Sequence, residues 1–437
     1  MNWTVRPVSR LSGEITVPGD KSITHRALLL GALGRGAARV AGYLDGGDCR
    51  ATIGCLRALG VEVEQTADEL VVHGRGLRGW REPDDVLDCV RSGTTMRLLA
   101  GLLAGQPFYS VLGAEAQLRR RPMARVAEPL RAMGAAVYGR AGGGDSAGAW
   151  PPLTIVGGSL HGAEHHLPVA SAQVKSCLLL AGLYAEGVTR VVEPGPSRDH
   201  TERMLRARGV AVRSEGLAHS LAGPAEDLAA LDTTVPGDFS SAAFFLVAGL
   251  LAPAGEICIR NVGVNATRTG LWDVLLSMGA RLEQRERRDE GGEPVADLWV
   301  RPGALRGVAV GGDVVPRMID EFSILALAAT QAEGVTVVRD AAELRVKETD
   351  RIATLVQELR ALGARIEARP DGFVIEGPTP LLGTSVDGHG DHRLAMTLAV
   401  AGLIAGGVTE VRGVEAIGDS CPGFDARLDR ICEGGWR

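Results

Sequence analysis

Aromatic side chains are scarce in this sequence. Phe, Trp and Tyr together make up 4% of its 437 residues, whereas glycine contributes 59. Such a chain builds its core from Leu, Val, Ala and Ile, with tight turns and close backbone approaches. Cysteine is sparse and scattered: Cys49, Cys55, Cys89, Cys177, Cys258, Cys421 and Cys432, an odd number with no CxxC pair. That excludes a disulfide scaffold or a zinc ribbon and fits a reducing cytoplasm. A basic excess is missing too. The formal net charge of −6 argues against a nucleic-acid partner, although a cleft can still focus a few local cations. No apolar run is long enough to span a bilayer. The longest, "AAFFLVAGLLA" and "LAMTLAVAGLIA", read as buried helices, so no membrane partner is expected. The N-terminal "MNWTVRPVSRL" lacks the continuous apolar stretch of a secretory signal. The histidine-rich "HGAEHH", His161 to His166, has no second ligand cluster elsewhere, so no metal site is expected.

What is present is repetition. The length already favours two domains over one. Six segments share a polar start, an apolar helix, a turn containing glycine and a strand. The turn glycines are Gly36, Gly105, Gly187, Gly255, Gly334 and Gly407, at intervals of 69, 82, 68, 79 and 73 residues. Five units add an amphipathic helix ending in glycine and then a strand: "LRALGVEVE", "LRAMGAAVY", "LRARGVAVR", "LLSMGARLE" and "LRALGARIE". Helical spacing of Leu355, Val356, Leu359 and Leu362 carries the helix, and glycine at its end turns the chain into the strand. The last unit lacks this signature. "VPGD" occurs at Val17–Asp20 and again at Val235–Asp238, 218 residues apart. These mark two crossovers between similar halves, residues 21–236 and residues 1–20 plus 237–437.

The starts of the six apolar helices are polar: "GDKSITHR", "RSGTTMR", "ASAQVKS", "GDFSSAA", "MIDEFSI" and "GDHR". Ordinary capping accounts for Ser92, Thr94, Ser240 and Asp320. It does not account for Lys21, Arg26, Arg97, Lys175 and Arg393, which have the wrong sign for the positive end of a helix dipole. Helix starts gathered at one surface, and lined by cations, make a site for phosphates and carboxylates. Three further clusters join them. "LRRRPMARV" places Arg119 to Arg121 before a helix opened by Pro122. "SRDHTERML" supplies Ser197, Arg198 and Asp199. "ELRVKETDRIATL" places Lys347 and Arg351 four apart on one helical face, with Glu348 beside Lys347.

Taken together, "PGDKSITHRALLLGAL", "SGTTMRLLAG", "RRRPM", "ASAQVKSCLLLAGL", "SRDHTE", "PGDFSSAAFFL", "IDEFSILALAA", "LRVKETDRI" and "GDHRLAM" resemble the 5-enolpyruvylshikimate-3-phosphate synthases over essentially the whole chain. The resemblance implies an α/β fold of two inside-out α/β barrel domains, with three pseudo-symmetric repeats each, that close over the substrates. It implies transfer of the enolpyruvyl group of phosphoenolpyruvate to the 5-hydroxyl of shikimate 3-phosphate, releasing phosphate, without metal or organic cofactor. A cytoplasmic monomer is expected. Carried over by motif, Lys21 contacts both substrates, while Ser22 and Arg26 bind shikimate 3-phosphate. Gly93 and Arg121 hold phosphoenolpyruvate. Ser171, Gln173, Ser197 and Arg198 line the pocket for the shikimate phosphate and ring. Asp320 and Lys347 meet its hydroxyls. Arg351 and Arg393 meet the carboxylate and phosphate of phosphoenolpyruvate. Asp320, Glu348 and Lys21 are the implied acid–base groups.

Three places depart from the family pattern: Arg91 stands where Asn is usual, Ala172 sits inside Ser171-Ala172-Gln173, and Asp419 and Ser420 stand where some members place a Lys. Two rivals differ in class. The enolpyruvyl transferase acting on UDP-N-acetylglucosamine commonly carries a Cys or Asp near "GAEAQLRRRPM", where no Cys lies. A non-catalytic phosphate-binding protein has no need of Asp320 and Glu348.

Overall fold

The apolar runs that follow the polar starts do form helices, and they are buried nearly all round. In a computed structural model, which describes residues 1–66, 69–141 and 148–437, they span Lys21–Leu33, Gly93–Ala104, Ala172–Gly182, Phe239–Leu251, Phe322–Thr330 and His392–Gly402. Each leads into a strand; the first five pair with a later strand of the same stretch, and the last, Thr409–Arg412, pairs with Ser385–Asp387 and Asn2–Val5. The fold is mixed α/β. None of the described helices is long and apolar enough to cross a membrane.

By internal contacts the chain divides into two units. The first is Gly19–Val235 with Glu290–Glu293. Its strand Gly34–Ala41 runs antiparallel to Glu69–Arg75, which pairs with Glu62–Gln65. Tyr109–Gly113 pairs in the same sense with Trp150–Val156, and Ala185–Val192 with Ala218–Gly223. Short parallel strands complete these sheets, among them Leu87–Asp88 and Glu164–His166. The second unit is Met1–Pro18, Pro236–Asp289 and Pro294–Arg437. Its strand Ile257–Gly263 pairs antiparallel with Glu293–Arg301 and parallel with Gly13–Thr16. Gly334–Val338 pairs with Gly372–Gly377, and Thr409–Arg412 with Asn2–Val5. The first unit's core is aliphatic, with only a few rings, such as Trp80 and Tyr184. The second departs from an aliphatic pattern: Trp3, Phe244, Phe245, Phe424 and Trp436 form one aromatic cluster.

The turn glycines divide by cause. Gly36, Gly187, Gly255, Gly334 and Gly407 have φ between +92° and +114°, a region that penalises any Cβ. Gly105 has φ −92°; there a Cβ would collide with the Tyr184 ring. The amphipathic helices end as the sequence predicts, with Gly60, Gly134, Gly209, Gly279 and Gly363 at positive φ. The last unit also carries a helix, Phe424–Ile431, and the Ile431 carbonyl accepts from the Ser12 N–H at 2.9 Å.

Capping corrects three expectations. Asp20, Ser92, Ser171, Asp238 and Asp391 cap five of the buried helices through their side chains. Thr94 and Ser240 instead lie inside the first turn. Asp320 precedes a helix whose N-cap is Glu321, with no side-chain cap bond. The cap is the residue whose backbone is still extended while its side chain accepts from an N–H of the first turn, and in "PGDF" and "GDHR" that is the aspartate, accepting from the Ser240 and Arg393 N–H groups. Pro122 does not open a helix either; the helix starts at Ala124, with Met123 as its N-cap and the Met123 N–H donating to the Ala149 carbonyl at 2.8 Å.

Candidate functional site

In the first unit, side chains from the opening turns of the three buried helices touch one another. Arg97 donates to Gln173 Oε1 at 2.7 Å, and Gln173 donates onward to Thr94 Oγ1 at 2.8 Å. Arg26 is buried and donates to Ser176 Oγ and Thr201 Oγ1, each at 2.6 Å. Burial lowers its pKa to about 10, with Glu202 opposing. Beneath them runs a chain of buried groups: His25 Nδ1 to Thr52 Oγ1 at 2.8 Å, Thr52 to Thr95 at 2.7 Å, and Thr95 to Ser92 at 2.7 Å. Burial drops the His25 pKa to about 3, so this imidazole is neutral.

The candidate residues of this unit sit around those helix starts. Lys21 Nζ is 3.1 Å from Asp48 Oδ2, both mostly shielded from solvent. Arg198 donates to Ser22 Oγ at 3.3 Å. Ser171 caps its helix, and Ser197 is buried. Gly93 opens the second buried helix, against the guanidinium groups of Arg97 and Arg121. Arg91, one of the departures, turns toward the surface, 3.7 Å from Glu115. Lys175 does not face an anion site: it is fully buried on Glu193 and Glu202.

The second unit repeats the convergence with opposite signs more evenly mixed. Arg351 is its hub. Its guanidinium meets Asp391 Oδ2 at 2.7 Å, Glu348 Oε2 at 2.6 Å and Asp320 Oδ1 at 3.4 Å. Arg393 Nη2 lies 3.7 Å from Asp320 Oδ2. Against burial, which pushes the other way, Arg351 holds the Asp391 carboxyl below the usual range. Burial pushes the Lys347 ammonium below its ordinary value, with Asp320 opposing. Lys347 and Arg351 do not share a helical face. Asp350 caps Ala353 and starts the helix at Arg351, so Lys347 lies outside it, after a short 3-10 turn.

Four residues of this arrangement carry no clear local signal. Asp48 lies in the helix Gly47–Ala58, 27 residues from Lys21. Asp391 was legible only as part of "GDHR". Glu321 accepts from Ser240 Oγ, and Arg268 pairs with Asp238 while donating to Ser240 Oγ at 3.1 Å. Among the described residues no group of three or more His, Cys, Asp or Glu could hold a metal ion. His166 of "HGAEHH" instead meets Glu164 at 2.9 Å.

Comparison with known proteins gives these clusters a context. The model of the EPSP synthase (3-phosphoshikimate 1-carboxyvinyltransferase) family matches residues 5–428. A 3-phosphoshikimate 1-carboxyvinyltransferase of Bacillus cereus is 51% identical over 431 residues, 98% of this chain and 99% of its own. One from Geobacter sulfurreducens is 52% identical over 425 residues, 97% and 98% of the two chains. The solved structure of EPSP synthase from Acinetobacter baumannii superposes with a TM-score of 0.87 at 42% identity, covering 99% of this chain and 98% of that one. With the family model matching residues 5–428 and relatives about half identical over nearly the whole of both chains, the chain belongs to the EPSP synthase family.

Proposed function

We propose that this chain transfers the enolpyruvyl group of phosphoenolpyruvate to the 5-hydroxyl of shikimate 3-phosphate and releases phosphate. The observation that carries the reading is the gathering of cations at helix starts in each unit, with Asp320 and Glu348 placed among them in the second. Guanidinium groups bind phosphate and carboxylate in two-pronged fashion, and both substrates are polyanions.

The two acidic groups supply what a binding protein does not need. Asp320 takes the proton of the 5-hydroxyl as that oxygen attacks C2 of phosphoenolpyruvate. Glu348 or Lys21 gives a proton to the methylene carbon, which becomes a methyl. In the second step the C2–O bond to phosphate breaks, the departing phosphate takes up the proton that Asp320 received, and Glu348 takes a proton back from the methyl, restoring the double bond on the product. Each positioned acid or base contributes about 10²–10⁴-fold. Ser22, Arg26, Ser171, Gln173, Ser197, Arg198 and Lys347 bind shikimate 3-phosphate; Gly93, Arg121, Arg351 and Arg393 bind phosphoenolpyruvate.

The finer architecture belongs to the same reading. Among the described residues six sheets, each led by one buried helix and three to a unit, support six repeats in two inside-out α/β barrel domains. The domain limits are 21–236 and 1–20 plus 237–437. The seven cysteines, all free and buried, fit a monomer working in a reducing cytoplasm.

The test is phosphate release from phosphoenolpyruvate with each acceptor in turn. Turnover with shikimate 3-phosphate, and none with UDP-N-acetylglucosamine, is expected. Turnover with the nucleotide sugar, or with neither, overturns the reading.

A further inference from the structure

We propose that Lys175, Glu193 and Glu202 form a buried clamp that positions the Ser197–Arg198 segment for shikimate 3-phosphate. The proposal rests on the reading above that this segment binds that substrate.

Lys175 sits in the first turn of the helix Ala172–Gly182 and is 0% exposed. Its ammonium lies 2.7 Å from Glu193 Oε2 and 2.8 Å from Glu202 Oε1, both also 0% exposed. These two carboxylates bracket one stretch of chain. Glu193 directly follows the strand Ala185–Val192, and Glu202 lies in the first turn of the helix His200–Ala207. Between strand and helix, Pro194, Gly195, Pro196, Ser197, Arg198 and Asp199 have no regular structure of their own. A segment without a hydrogen-bonded ladder takes its position from its ends. Here one ammonium fixes both ends to the helix that also carries Ser171 and Gln173.

A second tie runs alongside. Ser176, next to Lys175, meets Thr201, next to Glu202, at 2.7 Å, and Arg26 donates to both hydroxyls. His219, from the strand Ala218–Gly223, lies 3.5 Å from Glu193 and 3.5 Å from Glu202, with Ser214 Oγ 3.0 Å from its Nδ1. Arg198 itself reaches Ser22 Oγ at 3.3 Å. Burying three charges is costly against an apolar core of the same volume. In this unit the cost falls at the two points that set where Ser197 and Arg198 lie. Lys175, Glu193 and Glu202 touch no substrate in this account and are positioning residues.

The experiment compares Glu193→Gln and Glu202→Gln with Ser197→Ala and Arg198→Ala. Each Gln variant keeps the shape and leaves one carboxylate on the ammonium, so either variant tests the clamp by itself. The readouts are KM for each substrate, kcat, the melting midpoint and hydrogen exchange of residues 194–199. Loss of one charge-assisted bond is expected to raise KM for shikimate 3-phosphate by about tenfold or more. KM for phosphoenolpyruvate and kcat should move less than about threefold on the same scale, and exchange of residues 194–199 should quicken. A lowered melting midpoint with unchanged KM for shikimate 3-phosphate, while Ser197→Ala and Arg198→Ala raise it, overturns the clamp and leaves the binding assignment standing. If Ser197→Ala and Arg198→Ala leave that KM unchanged, the binding assignment fails, and the clamp with it.

Discussion

Replacing Gly93 with Ala isolates one atom in the anion site. Gly93 is the first residue of the helix Gly93–Ala104, and its backbone conformation is open to any L residue. An ideal Cβ there lies 2.7 Å from Arg97 Nη1, 3.1 Å from Arg121 Nη1 and 3.5 Å from Arg121 Cζ. No backbone atom is among these nearest contacts. The new methyl therefore displaces guanidinium groups, Arg97 by about 0.7 Å if ordinary contact begins near 3.4 Å. Arg97 is held by Gln173 at 2.7 Å, so the strain passes into that pair. Stability should hold or rise slightly, because Gly→Ala at a permitted conformation contributes about 0.4–1 kcal/mol through the unfolded chain. The cost falls on ligand binding. At most one charge-assisted hydrogen bond is at stake, about 1.5–3 kcal/mol, or about 10–150-fold in affinity. The resemblance implies that glyphosate, a zwitterion longer than phosphoenolpyruvate, takes the phosphoenolpyruvate site, so it should lose more than phosphoenolpyruvate does. The assay is steady-state inhibition of both proteins at matched phosphoenolpyruvate saturation, alongside a thermal melt. An unchanged ratio of inhibitor constant to KM, or an unsubstituted protein already insensitive to glyphosate, refutes the reasoning.

Other perturbations probe other links. Lys21→Met should lower kcat by about 10²–10⁴-fold with an unchanged circular dichroism spectrum; near-normal turnover would leave Lys21 only its ion pair with Asp48. Arg351→Lys keeps the charge but cannot reach Asp320, Glu348 and Asp391 together. Leaving a buried carboxylate without its partner costs about 3–5 kcal/mol, so both melting midpoint and kcat should fall, and retention of both counts against the hub. Burial pushes the His25 imidazole down to about 3, against an ordinary 6.5. Between those values the unfolded chain binds the extra proton, so stability falls as pH drops through that window, by up to about 1.4 kcal/mol per pH unit. His25→Asn, which keeps a partner for Thr52, should flatten that slope in urea unfolding at pH 4 to 6.5; superimposable slopes would show that the imidazole is not buried neutral.

The buried helices were legible because each is one long apolar run closed by a glycine, and the glycines at 60, 134, 209, 279 and 363 mark helix ends for a steric reason. Which residue caps each helix was less legible. "GDFSS" offers an acid and two hydroxyls within four positions, and only the local backbone selects Asp238 over Ser240. The spacing of Lys347 and Arg351 suggests a shared face, but Asp350 caps a helix that begins only at Arg351. Asp48 was not readable at all, since its pairing with Lys21 joins residues 27 apart and leaves no periodic trace. Lys175 looked like another outward cation. Its two carboxylates, at 193 and 202, lie well downstream, and no local pattern distinguishes a lysine turned inward from one turned out.

The most direct measurement is the product formed in deuterium oxide. Phosphoenolpyruvate and shikimate 3-phosphate are turned over by the protein, and the product is read by proton and carbon nuclear magnetic resonance alongside released phosphate. Addition followed by elimination passes through a methyl group at C3, so a solvent hydrogen enters and one of three leaves. The account predicts an enolpyruvyl ether on O5 with deuterium in its methylene and one phosphate released per ether. No ether, or an ether whose vinyl hydrogens all come from phosphoenolpyruvate, would contradict it.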